Sequence, residues 1–180
     1  SGNDTITDDS GSNILDGGSG NDNLTSRSLS GDHTLKGGYG TDTLTATGKK
    51  VTLEGGDEND NIYAYGYIDK EGSKSYLEDG EATLNGGKGA DRIQVISYFT
   101  ADIDGGANND DIDISYSGDS IVKGGDGNDN IRSEYSLNNE LYGGLGDDTI
   151  KIYQHITIGW SETNHIVDKN NNGVLDEISI

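Results

Sequence analysis

The chain has 180 residues, of which 33 are Asp or Glu and only 12 are Lys or Arg, giving a formal charge of −21. Apolar residues make up 29 %, well below the ~45–50 % of ordinary domains, with one Phe, one Trp and no Cys. That balance excludes a nucleic-acid binder, an anionic-lipid binder and any thiol or disulfide chemistry; without a charge-compensating partner it is the composition of a disordered chain.

No apolar run has the length of a membrane span, and no signal-peptide pattern opens the chain. The first residues, Ser1-Gly2-Asn3-Asp4-Thr5-Ile6, read as a truncated repeat with Asp4 in its acidic position, so a piece of a longer protein is expected. Full copies follow in chain order. The first runs from Leu15 through Gly17, Gly18, Gly20 and Asp22 to Leu24. The second runs from Leu35 through Gly37, Gly38, Gly40 and Asp42 to Leu44, and the third from Leu53 through Gly55, Gly56, Glu58 and Asp60 to Ile62. A fourth links Leu84, Gly86, Gly87, Gly89, Asp91 and Ile93, and a fifth links Ile103, Gly105, Gly106, Asn108, Asp110 and Ile112. The sixth holds Val122, Gly124, Gly125, Gly127, Asp129 and Ile131, and the seventh Leu141, Gly143, Gly144, Gly146, Asp148 and Ile150.

Successive first glycines lie 20, 18, 31, 19, 19 and 19 residues apart. Each copy carries an apolar residue two before the first Gly and another two after the Asp. Alternation continues past the loop: Ile112 and Ile114 face inward with Asp113 outward, and Ile150 and Ile152 with Lys151 outward, the period of a half-buried strand. Two short strands and two turns then make one coil, and stacked coils share a thin aliphatic core that no coil could bury alone. The fold class read from this is all-β, a parallel solenoid of ~19-residue coils over residues 1–152, with a degenerate repeat and cap over 153–180.

The pattern G-G-x-G-x-D-x-U-x resembles the RTX (repeats-in-toxin, haemolysin-type calcium-binding) β-roll family, over residues 1 to about 152. The family's simplest form has two such nonapeptides per turn. Here each coil has one, its other half being turn sequences such as Ser30-Gly31-Asp32 or Tyr116-Ser117-Gly118-Asp119, which implies calcium along one edge only. The resemblance implies an ion between the loops of adjacent coils, held by carbonyls of the second and fourth positions of one loop and the first and third of the next. The carboxylates would be Asp4, Asp22, Asp42, Asp60, Asp91, Asp110, Asp129 and Asp148. Eight loops offer at most seven such gaps. Glu58 and Asn108 replace the fourth-position Gly, and their carbonyls survive the change; the first copy lacks the Gly-Gly pair.

Elementary electrostatics points to the same metal. Two bare carboxylates a strand spacing apart repel by ~3 kcal/mol at an effective dielectric near 20. Ca²⁺ takes six to eight oxygens and accepts carbonyls beside carboxylates, whereas Mg²⁺ sheds water reluctantly and Zn²⁺ asks for His or Cys. Seven such ions would bring −21 to −7.

The 31-residue step leaves about twelve extra residues in 65–80, on the edge opposite the acidic loops, as a bulged loop or a short hairpin. Tyr63, Tyr65, Tyr67 and Tyr76 there offer either local packing or a stacking platform for a sugar or partner. Beyond Ile152 the repeat decays, with Asn164 where Asp should stand and Trp160, Ile166, Val167 and Leu175 as cap residues. Asp168, Asn170, Asn172 and Val174 match positions one, three, five and seven of an EF-hand loop, with Gly173 at six, but position twelve is Ser179 rather than Glu. This is one additional calcium site or an Asn-rich turn.

No catalytic constellation is present: the three histidines, His33, His155 and His165, sit in no motif, and the glycine loops lack the Lys of a phosphate loop. The chain is expected to be a non-catalytic calcium-dependent folding module of a larger secreted bacterial protein, a toxin, hydrolase or adhesin exported by a type I route. The alternative is a carbohydrate- or partner-binding module, as in adhesins or the repeat modules of alginate epimerases. Outward positions Thr25, Thr45, Tyr63, Gln94, Asp113, Arg132 and Lys151 form neither a basic stripe for polyuronate nor a Thr ladder for ice.

Overall fold

The computed structural model describes residues 1–70, 73–77, 79–153, 165–167 and 177–179. Strands run β1 (Thr5–Asp8), β2 (Asn13–Ser19), β3 (Asn23–Arg27), β4 (Asp32–Tyr39), β5 (Thr43–Thr47), β6 (Lys50–Asp57) and β7 (Asn61–Tyr65). Then come β8 (Tyr67–Lys70), β9 (Ser73–Tyr76), β10 (Glu81–Lys88), β11 (Arg92–Ile96), β12 (Thr100–Ala107) and β13 (Asp111–Ser115). The last are β14 (Ile121–Asp126), β15 (Asn130–Glu134), β16 (Glu140–Leu145), β17 (Thr149–Tyr153), β18 (His165–Val167) and β19 (Glu177–Ser179). No helix occurs among the described residues.

Odd strands from β1 to β7, then β11 to β19, form one nine-stranded sheet; β2, β4, β6, β10, β12, β14, β16 and β18 form an eight-stranded one. All neighbours in both are parallel and in strict register, so Leu24 sits on Leu44 and Leu35 on Leu53. This is the parallel β-solenoid that the spacing predicts. The segment beyond Ile152 adds a further strand to each sheet, Ile166 pairing with Leu141 and Ile178 with Ile150. β18 and β19 therefore continue the stacking beyond residue 152.

Facing columns fill the interior. Leu24, Leu44, Ile62, Ile93, Ile112, Ile131 and Ile150 project from one sheet against Leu35, Leu53, Leu84, Ile103, Val122 and Leu141 from the other, all fully buried. A second inward column is less uniform. Its middle holds Ala46, Ala64, Val95 and Ile114 against Val51, Ala82 and Ala101, polar residues enter toward both ends, and Ile152 follows Ser133 at the far one. At the first coils the Ser26 hydroxyl donates to His33 Nδ1 at 2.8 Å and accepts from Asn13 Nδ2 at 2.8 Å, while His33 Nε2 donates to the Ser28 carbonyl at 3.2 Å. A carbonyl only accepts, so Nε2 carries the proton. At the far coils Asn139 Nδ2 donates to Ser133 Oγ at 3.3 Å. Each of these inward polar side chains thus has a partner, as burial demands.

The extra residues form an antiparallel hairpin, β8 with β9, inserted where the chain crosses from the nine-stranded sheet to the other. It closes on Gly66, whose carbonyl accepts from Leu77 N at 2.8 Å. Beneath it Tyr98, 1 % exposed, plugs the interior and donates its hydroxyl to the Gly48 carbonyl at 3.1 Å. Asp113, expected outward, is on the outer face yet only 8 % exposed, because Arg132 of the next coil lies over it with bonds of 2.6 and 3.1 Å.

Candidate metal centre

The glycine loops carry the chain from the eight-stranded sheet to the nine-stranded one, so they stack along one edge. Stacking is tight enough to dictate residue type. A Cβ on Gly86 would overlap both Asp91 Oδ2 and the Gly105 carbonyl of the next coil. Gly127 sits at φ +140° against the Asn108 carbonyl, a conformation closed to side-chain-bearing residues. At the same loop position Glu58 and Asn108 adopt φ of 77° and 80°, the left-handed region, so the loop path survives the loss of glycine.

The aspartates form a continuous ladder. Each backbone N–H of an Asp donates to Oδ1 of the Asp one coil on: Asp4 to Asp22, Asp22 to Asp42, Asp42 to Asp60 and Asp60 to Asp91 at 2.7 Å. The series continues Asp91 to Asp110 and Asp110 to Asp129 at 2.8 Å, then Asp129 to Asp148 at 2.9 Å. Asp4 is exposed; the seven others are at most 2 % exposed.

A second ladder runs the opposite way and was not anticipated. The Asn before the Asp accepts, through Oδ1, the N–H of the matching residue one coil on. Asn3 takes Asn21 N, Asn21 takes Thr41 N, Asn59 takes Ala90 N, Asn109 takes Asn128 N and Asn128 takes Asp147 N, at 2.8–3.2 Å. The signal was in the sequence, as Asn precedes Asp in five of the eight copies.

In six of these carboxylates one oxygen is thereby satisfied and the other is not. Oδ2 of Asp22, Asp42, Asp60, Asp91, Asp110 and Asp129 is buried with no hydrogen-bond partner. An ionised oxygen in that position is costly, and the titration reflects it. Burial, above all, pushes Asp60 and Asp110 up to about 7 and Asp91 and Asp129 to about 6, against the lowering effect of the backbone bond each makes; Asp42 is raised for the same reason. Neighbouring ladder carboxylates add to the rise at Asp60 and Asp110.

Those orphaned oxygens fit a hard dication: they are anionic, buried, and sit beside the first-glycine carbonyls. Among the described residues no three His, Cys, Asp or Glu side chains converge on a point, so a dication there would need further oxygens, which the loop carbonyls offer. Third-position carbonyls are partly committed, since Tyr39 O accepts from Gly20 N at 2.8 Å and Leu145 O from Gly127 N at 2.7 Å; a carbonyl keeps a second lone pair for a cation. Asp168, Asn170, Asn172 and Val174 lie outside the described residues. His33, the one histidine whose side chain is described, is buried far along the opposite edge. Among the described residues no helix is long and apolar enough to cross a membrane.

A family model described as "RTX calcium-binding nonapeptide repeat (4 copies)" matches residues 1–27, 36–66, 78–94, 115–134 and 136–151. It passes over 95–114, where Asn108 stands for Gly, although Asp110 keeps both ladder bonds. No curated protein and no solved structure matches the chain. Repeats of this kind bind Ca²⁺, and with a match over more than half its length the chain belongs to the RTX calcium-binding nonapeptide repeat family.

Proposed function

We propose that the chain is a non-catalytic module, of a longer secreted bacterial protein, whose folding is switched on by calcium. The observation that carries this is the column of buried carboxylates with unsatisfied Oδ2 atoms. In this reading up to seven ions lie between successive loops, held by Asp4, Asp22, Asp42, Asp60, Asp91, Asp110, Asp129 and Asp148 with backbone carbonyls of the flanking glycines, Glu58 and Asn108. Residues 1–152 form the calcium-bearing roll and 153–180 its cap.

Magnitudes support a switch. Extracellular calcium modules bind at ~10⁻⁴–10⁻³ M. At ~0.1 mM affinity, a millimolar medium adds ~1.4 kcal/mol per site and ~10 kcal/mol for seven, comparable to the ~5–15 kcal/mol stability of a whole domain. At sub-micromolar cytosolic calcium that contribution vanishes, leaving a chain of charge −21 that stays extended until export. Circular dichroism at neutral pH tests it: EDTA should give a coil spectrum, and millimolar Ca²⁺, but not Mg²⁺, a β spectrum. A folded chain in EDTA sinks the reading.

A further inference from the structure

On the edge opposite the acidic loops lies an open groove of about 800 Å³, within the range of small-ligand sites. Tyr98 forms its floor, Tyr67 and Leu77 of the hairpin base one wall, and Phe99, Tyr116, Tyr135 and Leu137 the other. Phe99 and Tyr116 are 57 % and 62 % exposed, and Tyr135 and Leu137 nearly half. Tyr116 and Tyr135 stack one coil apart, centroids 5.1 Å and planes 15° from parallel.

Two features set the groove apart. Among the described residues, none of the eleven that line it is charged, in a chain where a quarter of all residues are. And Tyr116, Tyr135 and Ser97, equivalent in three successive coils, hold φ of 54°, 50° and 63°. Bulky residues rarely adopt that region, and such outliers persist where the surroundings over-determine them, often at ligand sites. Here the conformation turns two tyrosine rings outward into the groove.

We infer that this groove binds a neutral oligosaccharide. An anionic glycan meets a net-negative chain and, among the described residues, no cation in the groove, and a cationic ligand meets no carboxylate there. Aromatic rings interleaved with phenol and serine hydroxyls suit a ligand with apolar C–H faces and a hydroxyl rim. The stacked pair runs along the solenoid axis, which favours a linear chain spanning several coils.

The test uses the calcium-loaded chain, with folding checked by circular dichroism. Neutral hexasaccharides of α- and β-linked glucose, mannose, galactose and xylose are titrated by calorimetry and saturation-transfer NMR, with hexagalacturonate as the anionic comparison. At least one neutral sugar should bind saturably at millimolar or lower concentration. The folded Tyr116→Ala/Tyr135→Ala variant should weaken it tenfold or more, whereas Tyr142→Ala, a tyrosine on the outer face of β16 and outside the groove, should leave it unchanged. No saturable neutral ligand, equal binding by the double variant, or preference for hexagalacturonate overturns the proposal. So does a concentration-dependent dimer, seen by sedimentation, that the double variant abolishes. These readouts are independent of whether EDTA unfolds the chain.

Discussion

Asp110 illustrates how one residue serves two purposes: its Oδ1 fixes the Asp91 amide and its buried Oδ2 has nothing to bond. Asp110→Asn keeps the acceptor and removes the charge. The metal-free chain should therefore gain stability at neutral pH, while the increment supplied by calcium falls, both read from urea midpoints with and without EDTA. Equal calcium increments in variant and parent would count against a ligand role for Asp110. Gly86→Ala acts sterically, since the new methyl overlaps Asp91 Oδ2 and the Gly105 carbonyl. It should cost about 1–3 kcal/mol in calcium, the range for overpacking, together with loss of about one ion in equilibrium dialysis.

At the scale of the element, the hairpin β8–β9 pairs only with itself, whereas Tyr98 beneath it donates to the Gly48 and Tyr65 carbonyls of the two preceding coils. Replacing residues 67–76 by a short Gly-Ser linker should leave the calcium-loaded melting temperature within a few degrees of the parent. Tyr98→Ala should cost about 3–5 kcal/mol as an aromatic cavity. The contrast shows what the sequence could disclose. Loops and aliphatic columns were legible because a fixed apolar spacing recurs at ~19 residues, and the hairpin because twelve residues exceed that period. Where the repeat has no period the reading failed. Asn13, Ser26 and His33 occur once each, so nothing in one dimension reveals that they meet inside. Asp113 alternates as an outward residue, and its burial comes from Arg132 nineteen positions on, which only the coil register brings over it.

For the molecule as a whole, proton and calcium act on the same oxygens. Asp60, Asp91, Asp110 and Asp129 have folded-state values near 6–7 against about 3.9 for an unfolded Asp. The metal-free fold therefore binds more protons than the unfolded chain between those limits. Its stability is greatest below about pH 4 and is lost as pH rises through 6 to 7. In EDTA, acidification from pH 8 to 5 should recover β-structure by circular dichroism. In calcium the same titration should weaken ion binding, because protons displace the metal. A metal-free spectrum independent of pH would contradict the burial of these groups.

The two sheets are parallel throughout, and their inter-strand hydrogen bonds lie along the stacking direction. A load applied between the first and last coils therefore pulls each rung away from its neighbour rather than shearing long strands past one another. Extension should proceed as a regular sawtooth of low peaks. Every event frees about 19 residues, ~60–70 Å of contour, and one step, at the hairpin coil, runs longer by the twelve extra residues. Such a module yields gradually under tension, like a tape unwinding from its reel.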